Sequence, residues 1–373
     1  MSSCISAIGT ANPKYRILQN DIYQFMIKAF RLNDTNASRL KRIYDHSGIE
    51  HRYSVIPDFG EKESNNNTFF GKTADFEPFP QTRERLSLYQ DTAADLATEA
   101  VKDCLSNHTE ILRPSLTHLI TVSCTGMHAP GIDIELVEKL GLNQNIERTC
   151  INFMGCYGAL NALKVADYIC RADPSAKVLI VSVELCTLHF QKENTLDNWV
   201  ANSLFSDGAA AVIVENSTET KARNKHLLLD TFYSEFLNEA RNEMGWYVGD
   251  AGFEMKLTSK VSKLIFKHIQ SISNKLLRKA GLQFKDISRF AVHPGGRKIL
   301  EAAENALGIS SNDNLFAYDT LRDYGNMSSA TILFVLKKLM EDPEGKEGEN
   351  ILGFAFGPGL TVESMILKRN GNA

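Results

Sequence analysis

The chain of 373 residues has no Gly-x-Gly-x-x-Gly ahead of a helical stretch, no Walker-type Gly-Lys-Ser/Thr, no His-Glu-x-x-His and no Cys-x-x-Cys. A dinucleotide, a nucleoside triphosphate and zinc therefore have no visible seat, and neither a metal nor a cofactor is expected. Long apolar runs are also missing: Gly, Asp or Lys interrupts every stretch before it reaches the ~20 residues that cross a bilayer. Nor is there an excess of positive charge. The 41 basic and 45 acidic side chains leave a formal charge of −4, which argues against a nucleic-acid footprint. The seven cysteines are odd in number and scattered, and Met1-Ser-Ser-Cys-Ile5 carries no secretory segment. A reducing, cytoplasmic setting is expected.

What is present is a hydrophobic content of 43%, enough for two domain-sized cores. The chain also carries a duplication. The apolar run Thr117-His-Leu-Ile-Thr-Val-Ser-Cys-Thr-Gly126 and the run Ile287-Ser-Arg-Phe-Ala-Val-His-Pro-Gly-Gly296 each read as a buried strand ending in a glycine turn. Each is followed by a Gly-led helix rich in small residues, Gly155-Cys-Tyr-Gly-Ala-Leu-Asn-Ala-Leu163 and Gly325-Asn-Met-Ser-Ser-Ala-Thr-Ile-Leu333. The same distance of 30 residues separates Gly126 from Cys156 and Gly296 from Asn326. Further strands are expected at Lys177–Glu184 and Asn350–Phe356. This pattern predicts two α/β halves of similar build, residues 1–222 and 223–373, with mixed sheets covered by helices. The polar stretch Asn216–Lys225 is the expected seam. Pro57–Arg83 reads as a long excursion from the sheets and Glu341–Asn350 as an exposed connector.

Three residues stand out chemically. Gly155 and Gly158 bracket Cys156 as a tight strand-to-helix turn requires, and a helix N-terminus is one place where a thiolate is stabilised. His293 ends an apolar strand and is fixed by Pro294 and two glycines, at the sheet end where open α/β folds hold ligands. It is expected to hold Cys156 as a thiolate in an ion pair. Asn326 corresponds in the second half to Cys156 in the first. A side-chain amide there reads as a helix cap, or, together with His293, as an oxyanion hole for a thioester carbonyl or enolate. His108, His226 and His268 lie in polar, helix-like surroundings and are expected to be solvated. Gly353-Phe-Ala-Phe-Gly-Pro-Gly359 reads as an active-site wall rather than a phosphate loop.

Cys156, His293 and Asn326, in this order and with these neighbours, resemble the type III polyketide synthases, the chalcone-synthase-like branch of the thiolase superfamily. The likeness extends over nearly the whole chain. It takes in Ser47-Gly-Ile-Glu-His-Arg-Tyr53, Ser123-Cys-Thr-Gly126, Pro130-Gly131, Leu204-Phe-Ser-Asp-Gly-Ala-Ala210, Val292-His-Pro-Gly-Gly296, Tyr324-Gly-Asn-Met-Ser-Ser-Ala330 and Phe356-Gly-Pro-Gly-Leu360. The His-Pro-Gly-Gly and the terminal Phe-Gly-Pro-Gly set this branch apart from ketoacyl-carrier-protein synthases, which share the Cys-His-Asn trio.

The resemblance implies a homodimer of the five-layered αβαβα fold, acting on free acyl-CoA and malonyl-CoA without cofactor. Cys156 would carry the growing chain, and His293 and Asn326 would stabilise the oxyanion and the enolate of a decarboxylative Claisen condensation. Phe205 matches the family's gatekeeper. Arg39, Arg42 and His46 fall where the family meets the CoA phosphates, with His46 in place of a plant lysine. Met255 replaces a second gate phenylalanine, Trp246 a cavity glycine, and Cys124, Cys186 and His189 replace cavity threonines. Ala129 replaces a methionine that reaches the partner subunit. Glu184 and Ser328 keep their family types, and Gly357 and Pro358 belong to the wall. The pattern looks more microbial than plant. A ketoacyl-carrier-protein synthase III-like enzyme and a non-catalytic CoA-ester binder are the alternatives.

Overall fold

The computed structural model describes residues 2–106, 113–217 and 225–370. Most of the expected seam, the 222/223 boundary and His108 lie outside the described residues. One hydrogen-bonded sheet of nine strands runs in the order Ile287–Val292, Asn350–Gly357, Thr361–Asn370, His226–Phe236, Ser3–Ala11, Asp207–Asn216, Lys177–Leu185, His118–Ser123 and Glu147–Asn152. The sheet is mixed. His118–Ser123 lies parallel to both its neighbours and Ile287–Val292 is parallel to Asn350–Gly357, whereas the other pairs are antiparallel. Among the described residues the strands of the two halves meet through Ser3–Ile5 and Leu227–Leu229.

The sheet folds around two central helices that open the way the sequence expects. Helix Gly158–Ala172 packs on the first-half strands and also on Thr361–Asn370, while helix Thr331–Glu341 packs on Ile287–Val292 and also on Ser3–Ala11 and Asp207–Asn216. Helices in such a position must be apolar on both sides. Ala159, Ala162 and Ala166 of the first and Ile332, Leu333, Val335 and Leu336 of the second are fully buried. Helix Thr82–Ser106 covers the outer face of the first half and Val261–Ala280 that of the second, completing five layers.

Some local expectations change. Pro57–Arg83 is an excursion as far as Gln81, after which helix Thr82–Ser106 begins. His226, expected to be solvated, begins the strand His226–Phe236 and is buried, its Nε2 within 3.1 Å of Asn370 Nδ2. Strand pairing across 144 residues buried it, a constraint that the polar neighbours of His226 do not reveal. His268 stays on a helix and meets Glu239 at 2.5 Å.

Layer spacing is tight where glycine meets helix. A Cβ on Gly9 would fall 2.1 Å from the backbone nitrogen of Cys104, so strand Ser3–Ala11 and helix Thr82–Ser106 touch backbone to backbone. Gly9→Ala should therefore lower unfolding stability by about 1–3 kcal/mol, the usual cost of overpacking, measured by urea denaturation. An unchanged midpoint would show that the layer yields freely.

Candidate active site

Strand ends build the site. His118–Ser123 leads into Cys124, Lys177–Leu185 into Cys186, Ile287–Val292 into His293 and Asn350–Gly357 into Pro358. The antiparallel strand Asp207–Asn216 starts at this same end, just after Phe205. Between them lies a mainly apolar cavity that opens to the surface.

Cys156 occupies a 3₁₀ turn, Gly155–Tyr157, that feeds directly into helix Gly158–Ala172. Gly155 has φ +72°, and a Cβ there would lie 2.3 Å from Pro358 Cδ, so both backbone strain and space demand glycine. Its N–H donates to Cys124 Sγ at 3.0 Å. The thiol of Cys156 faces the cavity and is pushed up to about 12, because burial outweighs hydrogen bonds from Ser328 and Asn326, and the carboxyl of Glu184 adds to the rise.

His293 lies on a backbone clamp: its N–H donates to Phe354 O at 2.8 Å, and Gly295 N–H donates to its carbonyl at 2.9 Å. Burial alone lowers the imidazole to about 3, and neither ring nitrogen has a hydrogen-bond partner. No hydrogen bond joins His293 to Cys156, and burial disfavours the charged form of each. Asn326 is not the cap residue of the helix: it precedes the 3₁₀ turn Ser328–Ala330, and its Oδ1 accepts from Ser328 N–H at 2.9 Å. Its Nδ2 donates to Gly295 O at 3.3 Å, tying the amide to the His293 turn.

Cys124, Cys186, His189, Phe205, Trp246, Met255, Ser328 and Pro358 share the cavity wall with Cys156. His293, Asn326, Glu184 and Gly357 are not on that wall. Gly357 packs against the Tyr157 ring, and Glu184 is wholly buried behind Cys124. Its carboxyl accepts from Cys124 N–H at 2.9 Å, from the Thr125 hydroxyl at 2.9 Å and from the Ser329 hydroxyl, and burial raises it to about 7. His189 accepts from Phe253 N–H at 2.9 Å through Nδ1 and holds Thr125 O at 2.7 Å through Nε2, which fixes its neutral form. Trp246 Nε1–H donates to Cys124 O at 2.7 Å.

Arg39, Arg42 and His46 are exposed and stand away from this wall, on and just beyond helix Asp34–Asp45. His46 Nδ1 lies 2.7 Å from the carbonyl of Arg42. Ile17, Ile22, Met26, Arg52, Phe59 and Asn202 also line the cavity, and sequence reading did not pick them out as lining residues. Only the motif around Arg52 carried a signal.

The family model described as chalcone and stilbene synthases, N-terminal domain, matches residues 2–218, and its C-terminal counterpart matches residues 229–370. The chain belongs to this family of type III polyketide synthases. Among curated relatives of this polyketide synthase, the alpha-pyrone synthesis polyketide synthase-like Pks18 of Mycobacterium tuberculosis is 31% identical over 97% of this chain and 90% of its own length. A putative chalcone synthase of Bacillus subtilis is 32% identical over 97% of both chains. Among solved structures, PKS-I of the brown alga Ectocarpus siliculosus covers 99% of this chain and 98% of its own, with TM-score 0.92 and 27% identity. The polyketide synthase thus has the thiolase-like architecture expected from its sequence.

With a thiol near 12 and no imidazolium beside it, the rate of Cys156 alkylation by iodoacetamide should climb from pH 6 to pH 10 without levelling. A plateau below pH 7, read by peptide mass spectrometry, would reveal a resting ion pair instead.

Proposed function

We propose that this type III polyketide synthase loads an acyl group from an acyl-CoA, or from malonyl-CoA itself, onto Cys156 Sγ with release of free CoA. Malonyl-CoA then loses CO2, and the resulting enolate attacks the Cys156 thioester to form the new carbon–carbon bond. Several such extensions end in cyclisation to a resorcinol, phloroglucinol or pyrone. The observation that carries the reading is a cavity-facing thiol whose charge Ser328 and Asn326 favour, with the Asn326 amide tied through Gly295 to the turn that holds His293. Neutral His293 takes the thiol proton when the starter arrives and passes it to the departing CoA thiolate, which returns the ring to its neutral form. His293 and Asn326 then donate to the oxyanion and the enolate, where neutral dipoles in a dry site act most strongly. The chemistry needs no metal or organic cofactor.

Phe205 serves as the gate at the cavity, and Trp246, Met255, Cys186 and His189 shape the room for the product. Arg39, Arg42 and His46 recur at the spacing of one helix face and meet the CoA phosphates. Their helix abuts Leu196–Leu204, which lines the cavity, and Tyr44 O–H donates to Asn202 O at 3.2 Å. His46 is the weakest of the three, since its ring is engaged with its own helix. The two family matches support halves that divide near residue 222. The seven cysteines are free thiols, consistent with the cytoplasm. Among the described residues no helix is long and apolar enough to cross a membrane.

The edge strand Glu147–Asn152 is largely exposed along one side of the sheet, and Met127 beside the Ala129–Pro130 turn is also exposed. An open edge of this kind pairs readily with another chain, which supports a homodimer. Light scattering should give about twice the chain mass of 41.6 kDa. A monomer at micromolar concentration would refute the dimer.

Intact-protein mass spectrometry after mixing with acyl-CoA should show an acyl adduct that Cys156→Ala abolishes. An adduct that survives the substitution would exclude Cys156 as the carrier. Free malonyl-CoA should also be turned over with CO2 release. A carrier-protein-dependent synthase would leave it untouched, and a mere binder would hold it intact.

A further inference from the structure

The guanidinium of Arg52 is an unusual resident of the interior. Arginine is almost never fully buried without a carboxylate, because stripping water from the charge costs several kcal/mol. Arg52 is 4% exposed, and among the described residues no carboxylate forms an ion pair with it. The nearby Asp207 spends its oxygens on Thr187 and on Val55 N–H. The donors of Arg52 go elsewhere. Its Nε donates to Gln19 Oε1 at 2.8 Å, and its Nη1 donates to the carbonyls of Asn202 and Phe205, each at 2.8 Å.

Those carbonyls end the helix Leu196–Leu204, where the last turn has no partners of its own. Gln19, oriented by Arg52, donates through Nε2 to the next carbonyl, Ser203 O, at 2.8 Å. The remaining one, Leu204 O, accepts from Asn326 N–H at 2.9 Å, and Ser206 N–H returns to Asn326 O at 2.9 Å. Phe205 and Asn326 are thereby paired as a two-sided bridge. Four successive carbonyls, 202 to 205, are held by the side chains of Arg52, Gln19 and Tyr44 and by the backbone of Asn326. The stem of Arg52 also touches the residue before Asn326, since a Cβ on Gly325 would lie 3.0 Å from Arg52 Cγ. One side chain therefore grips both strands of the bridge.

We infer that Arg52 is a positioning residue for the condensation, setting the gate ring of Phe205 and the amide of Asn326 at fixed places relative to Cys156. This rests on the reading of Asn326 and Phe205 under the proposed function. The planar fork matters, since two carbonyls and an amide oxygen are met at once. A lysine ammonium carries the same charge but cannot reproduce that geometry. Misplacing a reacting group by about 1 Å costs on the order of 100-fold in rate. Losing the fork should therefore appear in turnover rather than in the nucleophile.

The test compares Arg52→Gln, Arg52→Lys and the milder Gln19→Ala in the full-length protein. CO2 release from malonyl-CoA should fall by roughly 10- to 100-fold in kcat for Arg52→Gln, with KM for malonyl-CoA within about threefold. Arg52→Lys should recover little, and Gln19→Ala should fall in the same direction by less. Alkylation of Cys156 by iodoacetamide at fixed pH should stay within about threefold, because the nucleophile's own turn is untouched. CO2 release kept within about twofold in Arg52→Gln would overturn the inference. So would alkylation, turnover and melting temperature falling together, in Gln19→Ala as well as in the arginine variants. A wild-type protein that releases no CO2 would instead overturn the reading of the site itself.

Discussion

The closest contact in the molecule that matters for chemistry is the one between Pro358 and the turn at Gly155. It is made between halves, and nothing larger than a hydrogen fits on Gly155. Around it, Gly357 leaves room for the Tyr157 ring, and Ser182 and Ser329 join their hydroxyls at 2.8 Å across the two halves. The site lies in this close-packed seam, and burial there shifts Cys156, His293 and Glu184 each toward its uncharged form.

Dryness decides what the resting site can hold. An ion pair between thiolate and imidazolium must repay the dehydration of two charges, and here each group is shifted against ionisation. Neither imidazole nitrogen has a hydrogen-bond partner in the protein, while the backbone of His293 is held by Phe354 and Gly295. Charge is thus brought to the site by the substrate rather than stored in it. Glu184 belongs to the same economy of charge: ionised, its carboxylate would oppose a thiolate at Cys156, and burial near neutrality favours its uncharged form.

Much of this was legible because glycine and proline mark backbone shape. The Cys156 turn, the His293 clamp and the start of the second central helix are written in Gly155, Gly158, Pro294 and Gly325, and the strands in apolar runs. Long-range partners leave no such mark. Arg52 stands in a recognisable motif, yet its purpose depends on carbonyls 150 and 153 residues away. His226 looked solvated beside polar neighbours and was buried by a strand pairing at the other end of the chain. The expected pairing of Cys156 with His293 rests on residue types, whereas the burial of both and the lack of a hydrogen bond to either ring nitrogen are visible only in the packing.

The same distinction separates reaction from product. The proposed nucleophile, imidazole and amide are each held by local backbone, through a 3₁₀ turn, a glycine clamp and a turn closed by the Asn326 amide. The cavity wall is made differently. Trp246 is held by one hydrogen bond to Cys124 O, and His189 lies flat on Phe253 with ring centres 4.2 Å apart, so this side of the cavity is rigid and aromatic. Met255, the cross-strand partner of Trp246 on the same hairpin, is unbranched and adaptable. Room for a growing chain is therefore bounded by pinned rings with one adjustable side chain beside them. A single substitution at Trp246 or Met255 changes that room without touching the groups that form the bond, which is why reaction class can be read from motifs while ring size and chain length cannot.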